Sequence, residues 1–218
     1  MPVLGCYSVN QVKKEHETLL QFNSELQGLV NLILDKPHSA SDDKGFFLTF
    51  ALGKGFKTHT AIVSLAKVGY GQDAAILVRS LFELMIITYY ILNDDTDGRM
   101  KRYLDYDWVL RKQMFDVHAE NEKVMEGINK RLKEASKGQD SLEEIASRAE
   151  EARKKHNYIR YRWSDKNLGG MSEEISRLDA YNSIFKLQSQ IIHSEARVVN
   201  EYVSIENGEL VITVGASE

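Results

Sequence analysis

Hydrophobic positions along this chain recur mainly at steps of three and four, the spacing of one helix face. Leu19, Phe22, Leu26, Leu29/Val30 and Ile33 form the first such series. A Ser8/Gln11 capping box opens it, and it stops near Asp35, before Pro37. A second helix is expected from about Asp43 to Val68, with Gly45, Gly53 and Gly55 weakening its first half. Gly69-Tyr70-Gly71 reads as a tight connection. The run that follows, Ala74 to Leu92 (AAILVRSLFELMIITYYIL), is apolar on all sides and is expected in the middle of a bundle.

Asn93 to Gly98 is a polar linker, with Thr96 expected to cap a fourth helix through Tyr103, Tyr106, Trp108/Val109 and Leu110 toward Val117. The stretch 119–155 is strongly charged and keeps only narrow apolar stripes, at Val124, Ile128 and Leu132 and again at Leu142, Ile145 and Ala149. Two poorly buried helices projecting from the core are predicted there, broken at Ser136-Lys137-Gly138. After an irregular aromatic and basic segment (HNYIRYRWSDKNLGG), a last long helix is expected from near Ser172 to near Val199, bent around Asp179–Tyr181. EYVSIENGELVITV alternates on both sides of Asn207-Gly208, the pattern of a two-residue hairpin. The expectation is an all-α fold: a helical bundle of about six or seven helices with a small C-terminal β-hairpin at 201–214, in one domain over 1–218.

Composition narrows the classes of function. The apolar fraction of 43% and charged fraction of 28% are those of an ordinary globular protein. A net charge of −4 argues against a nucleic-acid mode that coats the whole surface, though not against a local basic patch. The single cysteine, Cys6, forms neither an internal disulfide nor a cysteine-based metal cluster, and a reducing, cytoplasmic location is expected. The first residues show no secretory signal. The 74–92 run nearly reaches spanning length, but Arg79 and Glu83 within it, and Asp94, Asp95 and Asp97 after it, disfavour insertion; no membrane partner is expected.

Arg79 and Glu83 are the chemical oddity of that run. Four residues apart, they share a helix face, in the less favourable order for a pair within one helix. Each is therefore expected to reach a partner on another helix, either as a buried ion-pair network that fixes register or as part of a site. The last helix carries a second four-step series, Tyr181, Phe185, Ser189 and His193. If His193 meets Glu83, the two form a base with its orienting carboxylate, and Arg79 holds an anion beside them. No serine or cysteine stands out as a nucleophile.

Several motifs in fixed order carry a resemblance: K-x-H-x-A (57–61), L-V-R-S-L-F-E (77–83), R-x-x-x-Y (99–103), W-S-D-K-N-L (163–168) and S-x-x-x-H (189–193). Together they resemble a bacterial all-helical family known chiefly as a domain of unknown function, over about residues 50 to 215. The resemblance implies a helical bundle and a polar pocket built from Arg79, Glu83, Trp163, Lys166 and His193, and no established reaction. Such bundles are also similar to the HEPN group, whose ribonucleases carry an Arg and a His four to six residues apart; here Arg111 and His118 have six residues between them. That reading would use His118 as general acid or base and Arg111 on the scissile phosphate, in a two-fold homodimer.

The segment 148–166 places seven Lys/Arg residues, among them Arg148 and Lys155, around Tyr158, Tyr161 and Trp163. Such a mixture suits a nucleotide or single-stranded nucleic acid, or else rings that plug the bundle while the cations stay wet. His16, His38 and His156 sit in polar surroundings and are expected in solvent, whereas His59 precedes core positions. His59, Glu83 and His193 lack local ligand spacing, so no metal and no cofactor are expected. Three functions follow as expectations: a pocket for an anionic small molecule or RNA phosphate, a metal-independent ribonuclease, or a protein–protein interaction module.

Overall fold

In the computed structural model, helices run over Glu17–Leu34 (α1), Asp43–Lys67 (α2), Gly71–Asn93 (α3), Thr96–His118 (α4), Glu122–Ala135 (α5), Leu142–His156 (α6), Leu168–Glu174 (α7) and Leu178–Ala180 (α8). The last continues as a π-helical turn over Tyr181–Phe185. The described residues are 13–36, 42–135, 141–159, 162–186, 188–189, 203–206 and 208–212. The fold is all-α. Two short strands, Val203–Glu206 (β1) and Glu209–Ile212 (β2), pair antiparallel with Val203 opposite Ile212. Asn207 lies outside the described residues. The chain divides into two compact units, residues 1–93 with 168–218, and residues 94–167.

In the first unit, Asp42 starts α2 by accepting the Gly45 N–H on its side chain at 2.7 Å. Gly69 takes a positive φ of 85°, which turns the chain from α2 into α3. Helix α3 packs chiefly on α2 and also on α7. It buries Phe82, Leu84, Ile86, Tyr90 and Ile91, with Phe47 and Val63 buried on α2 and Met171 on α7. By length and composition alone α3 is also apolar enough to cross a membrane. It is not buried all round, as its uniform hydrophobicity suggested: Asp73, Ile76, Ser80 and Glu83 form an exposed strip at helical spacing.

The ends of this unit depart furthest from the sequence pattern. None of the residues of α1 is buried, and its predicted apolar face looks outward. Ser172 does not start a long helix; it is buried inside α7, its hydroxyl donating to the Leu168 carbonyl at 2.7 Å. The break falls earlier than expected, at Ser176, whose φ of 56° is left-handed and cannot continue a helix.

In the second unit, Thr96 is the first helical residue of α4 rather than its cap, because Asp95 takes the capping position in a left-handed conformation. Helix α6 starts on an N-cap, Ser141 accepting the Glu144 N–H at 3.1 Å, and ends on Asn157 at φ 46°. It is not a poorly buried helix. Ile145, Ala149 and Ala152, spaced by four and three, are buried, and α4 is the helix it packs against. Helix α5 packs only lightly on α4, as its charge pattern implies.

Candidate functional site

The α4–α6 pair creates the most developed polar site among the described residues. Alanines at 149 and 152 leave α6 thin on its inner side, and Tyr106 and Val109 of α4 are buried opposite. Ala152 joins Tyr106 and Val109 in one cluster, against which Tyr158 and Trp163 pack. Trp163 meets Tyr103 edge-on at 5.1 Å between centroids, and Tyr158 meets Tyr106 at 5.0 Å. These rings from the basic segment plug the core, as one of its two sequence readings held.

Arg102 fastens that plug. Its Nη1 donates to the His156 carbonyl and its Nε to the Trp163 carbonyl, each at 2.5 Å. Its guanidinium lies 5.1 Å from the Tyr158 centroid, and the Tyr158 hydroxyl donates back to the Arg102 carbonyl at 2.8 Å. Carbonyls in the last turn of a helix have no intrahelical donor, so a forked cation there meets an existing need. Burial, aided by the nearby Asp105 charge, pushes the Tyr158 phenol well above its ordinary pKa and keeps it a donor.

Asp105 projects one turn further along α4. Its Oδ2 accepts from His156 Nε2 at 2.6 Å and from Lys155 Nζ at 2.8 Å. Burial raises the Asp105 pKa, but the hydrogen bonds and charges of Lys155 and His156 outweigh it, so the carboxyl sits below its ordinary value. The carboxylate is therefore ionised at neutral pH, and Nε2 of His156 is the donor. His156 is not solvated: its side chain keeps only 11% of its surface exposed.

Beside this cluster opens a cleft of about 300 Å³, lined by Asp105, Trp108, Arg148, Glu151, Ala152 and Lys155. Two guanidinium groups lie over the Trp108 ring, Arg148 at 4.5 Å and Arg111 at 4.9 Å from its centroid. Both are also held by carboxylates one helical turn back, Arg148 by Glu144 and Arg111 by Asp107, each at 2.6 Å. The cleft thus offers an aromatic face, cations and carboxylates within one small opening.

The residues expected from sequence are distributed differently. Glu83 is exposed and Arg79 half-buried, and no ion pair joins them among the described residues. Arg79 does reach the last helical segment, where its guanidinium lies 4.2 Å from the Phe185 centroid, and Phe185 stacks on Tyr181 at 4.9 Å. Among the described residues its partner is a ring rather than a carboxylate. His193 lies outside the described residues. Trp163 and Lys166 belong to the second unit. Trp163 serves there as core, and the Lys166 N–H donates to the buried Ser164 hydroxyl at 3.2 Å. Arg111 is at the Trp108 cleft, whereas His118 is exposed at the end of α4. His59 is half-buried and bonds Asn23 Oδ1 through Nε2 at 2.8 Å. Among the described residues, no three His, Cys, Asp or Glu side chains are placed to hold a metal ion.

Sequence reasoning passed over Asp105, took Trp108 only as part of a helix face, and read His156 as solvated. The usable signal is Asp105 itself, an acid set between Tyr103 and Tyr106 on a helix otherwise read as aromatic. These features describe an all-helical protein with a small polar cleft between two of its helices. The model of a family of unknown function, DUF5677, matches residues 46–210, and the chain belongs to that family. Comparison with curated proteins and with solved structures gives no match.

Proposed function

We propose that the second unit binds a nucleotide-class ligand, a planar ring bearing an anionic group, in the Trp108 cleft. The observation that carries this reading is the grouping of Trp108 with Arg148, Lys155 and Glu151 around an opening of about 300 Å³. That volume is at the lower end of small-molecule sites, so a single nucleotide suits it better than an extended strand. Arg148, drawn off the Trp108 ring by the ligand's phosphate, leaves an indole face to stack a base; guanidinium and ammonium groups hold the phosphate, and a carboxylate accepts from an exocyclic amine. The ligand's phosphate would compete with Glu144 for Arg148, a replacement of one anion by another at little net cost in charge. This keeps the anionic ligand class expected from sequence and moves its site from Arg79, Glu83 and His193 to α4 and α6.

The metal-independent ribonuclease reading, with its HEPN likeness, has less support. Arg111 is engaged by Asp107 and Trp108, and His118 stands on an exposed helix end two turns away. Calorimetric titration with the four nucleoside 5′-monophosphates tests the proposal. Binding by wild type that weakens at least about tenfold in Arg148→Ala, equivalent to roughly 1.4 kcal/mol, supports it. Equal heats from both proteins, or none from wild type, would refute it.

A further inference from the structure

We infer that α1 is the seam of a homodimer, its outer strip pairing with the same strip of a second copy. Leu19, Phe22, Leu26, Leu29 and Ile33 alternate at steps of three and four over two heptads, the repeat that keeps one side of a helix facing a partner helix. The neighbouring series, Leu20, Asn23, Gln27, Val30 and Leu34, is half-buried on its own unit. The helix therefore carries an open apolar strip beside a mixed, half-buried one, and the described residues of its own unit cover only the second.

Two observations favour a second copy as the occupant. The first is area. Leu19, Phe22, Leu29 and Leu32 are 61–65% exposed, and Leu26 and Ile33 are also open. At roughly 200 Å² per fully open large side chain, the strip amounts to on the order of 600 Å² per copy. Monomers rarely leave a larger apolar patch bare, and two such strips together reach about 1,200 Å², the lower bound of a specific interface. The second is charge. Between Thr18 and Leu34 the only ionised side chain is Glu25. A helix facing water, or one lying on an anionic membrane, carries a charged face, whereas a strip meeting its own copy must avoid like charges. The seating of α1 fits this role. Open apolar clefts of about 260 and 290 Å³, with Leu26 and Leu19 at their edges, lie between it and the α2–α3 pair, so the described part of its own unit packs it loosely.

Sedimentation of the full-length protein at about 20 µM, above the Kd of an ordinary micromolar dimer, is the test. The expected mass is twice the 24.9 kDa of one chain. Phe22→Glu with Leu29→Glu halves it, while Val117→Glu, an exposed apolar site on α4, leaves it unchanged. Circular dichroism verifies that each variant keeps its helices. Leu32→Gln, a milder change on the same strip, serves if the double variant unfolds, and it must weaken dimerisation at least tenfold. A monomeric wild type, whether or not it binds phosphatidylserine vesicles, or a dimer indifferent to these substitutions, overturns the inference.

Discussion

Asp105 Oδ2 accepts a hydrogen bond from His156 Nε2 at 2.6 Å, which fastens the middle of α4 to the last turn of α6. The Lys155 ammonium shares that oxygen at 2.8 Å, so one carboxylate organises an ammonium and an imidazole N–H at a helix C-terminus. Cations belong there, because the helix end carries partial negative charge. The same carboxylate lines the cleft, so helix attachment and the shape of the proposed site depend on one side chain.

Asp105→Asn keeps the shape and removes the charge, and is expected to lower stability by roughly 1–2 kcal/mol at neutral pH. The folded pKa of Asp105 lies below the ordinary aspartate value, so its contribution is present above that value and is lost as pH falls through the folded pKa. Urea unfolding of both proteins from neutral to strongly acidic pH checks this. The gap between them should narrow as the pH drops below 3.8.

Arg102→Ala frees two carbonyls and uncovers Tyr158, and should destabilise the second unit by about 2–4 kcal/mol. Arg102→Lys keeps the charge but not the fork, so it should recover less than half of that loss. The urea midpoints of the three proteins measure both effects. Full recovery by lysine would mean that charge, not geometry, holds the segment.

Phe185 is nearly buried and should cost about 3 kcal/mol or more when cut to alanine. Arg79→Leu replaces a half-buried cation by an apolar group of similar reach and should change stability by less than about 1 kcal/mol. Thermal melts of the two variants decide the matter. A loss at Arg79→Leu as large as that at Phe185→Ala would restore a charge-based role for Arg79.

The helical architecture was legible because periodicity and glycine turns act locally: Asp43–Lys67 and Gly71–Asn93 follow directly from apolar spacing bounded by Asp42 and Gly69. Glu83 was misread for a reason of the same kind. Uniform hydrophobicity in a helix implies burial all round, but burial depends on how many neighbours arrive, and α3 receives them on only part of its circumference. Arg79 was expected to reach another helix, and the aromatic face it meets at Phe185 leaves no complementary charge to find in the sequence. The Asp105–His156 tie spans 51 residues, and its members lie in stretches that look solvated when read separately. Only the packing of α4 on α6 brings them together.

The most direct measurement of the nucleotide proposal uses the two tryptophans of the chain, Trp108 and Trp163. Each gives one indole N–H peak in a proton–nitrogen correlation spectrum, and Trp108→Phe assigns them. Titration with adenosine 5′-monophosphate and guanosine 5′-monophosphate should move the Trp108 peak to saturation, leave the core Trp163 peak nearly still, and lose its effect in Arg148→Ala. A Trp108 peak that stays in place at saturating concentrations of both nucleotides, or that moves equally in Arg148→Ala, would contradict the account.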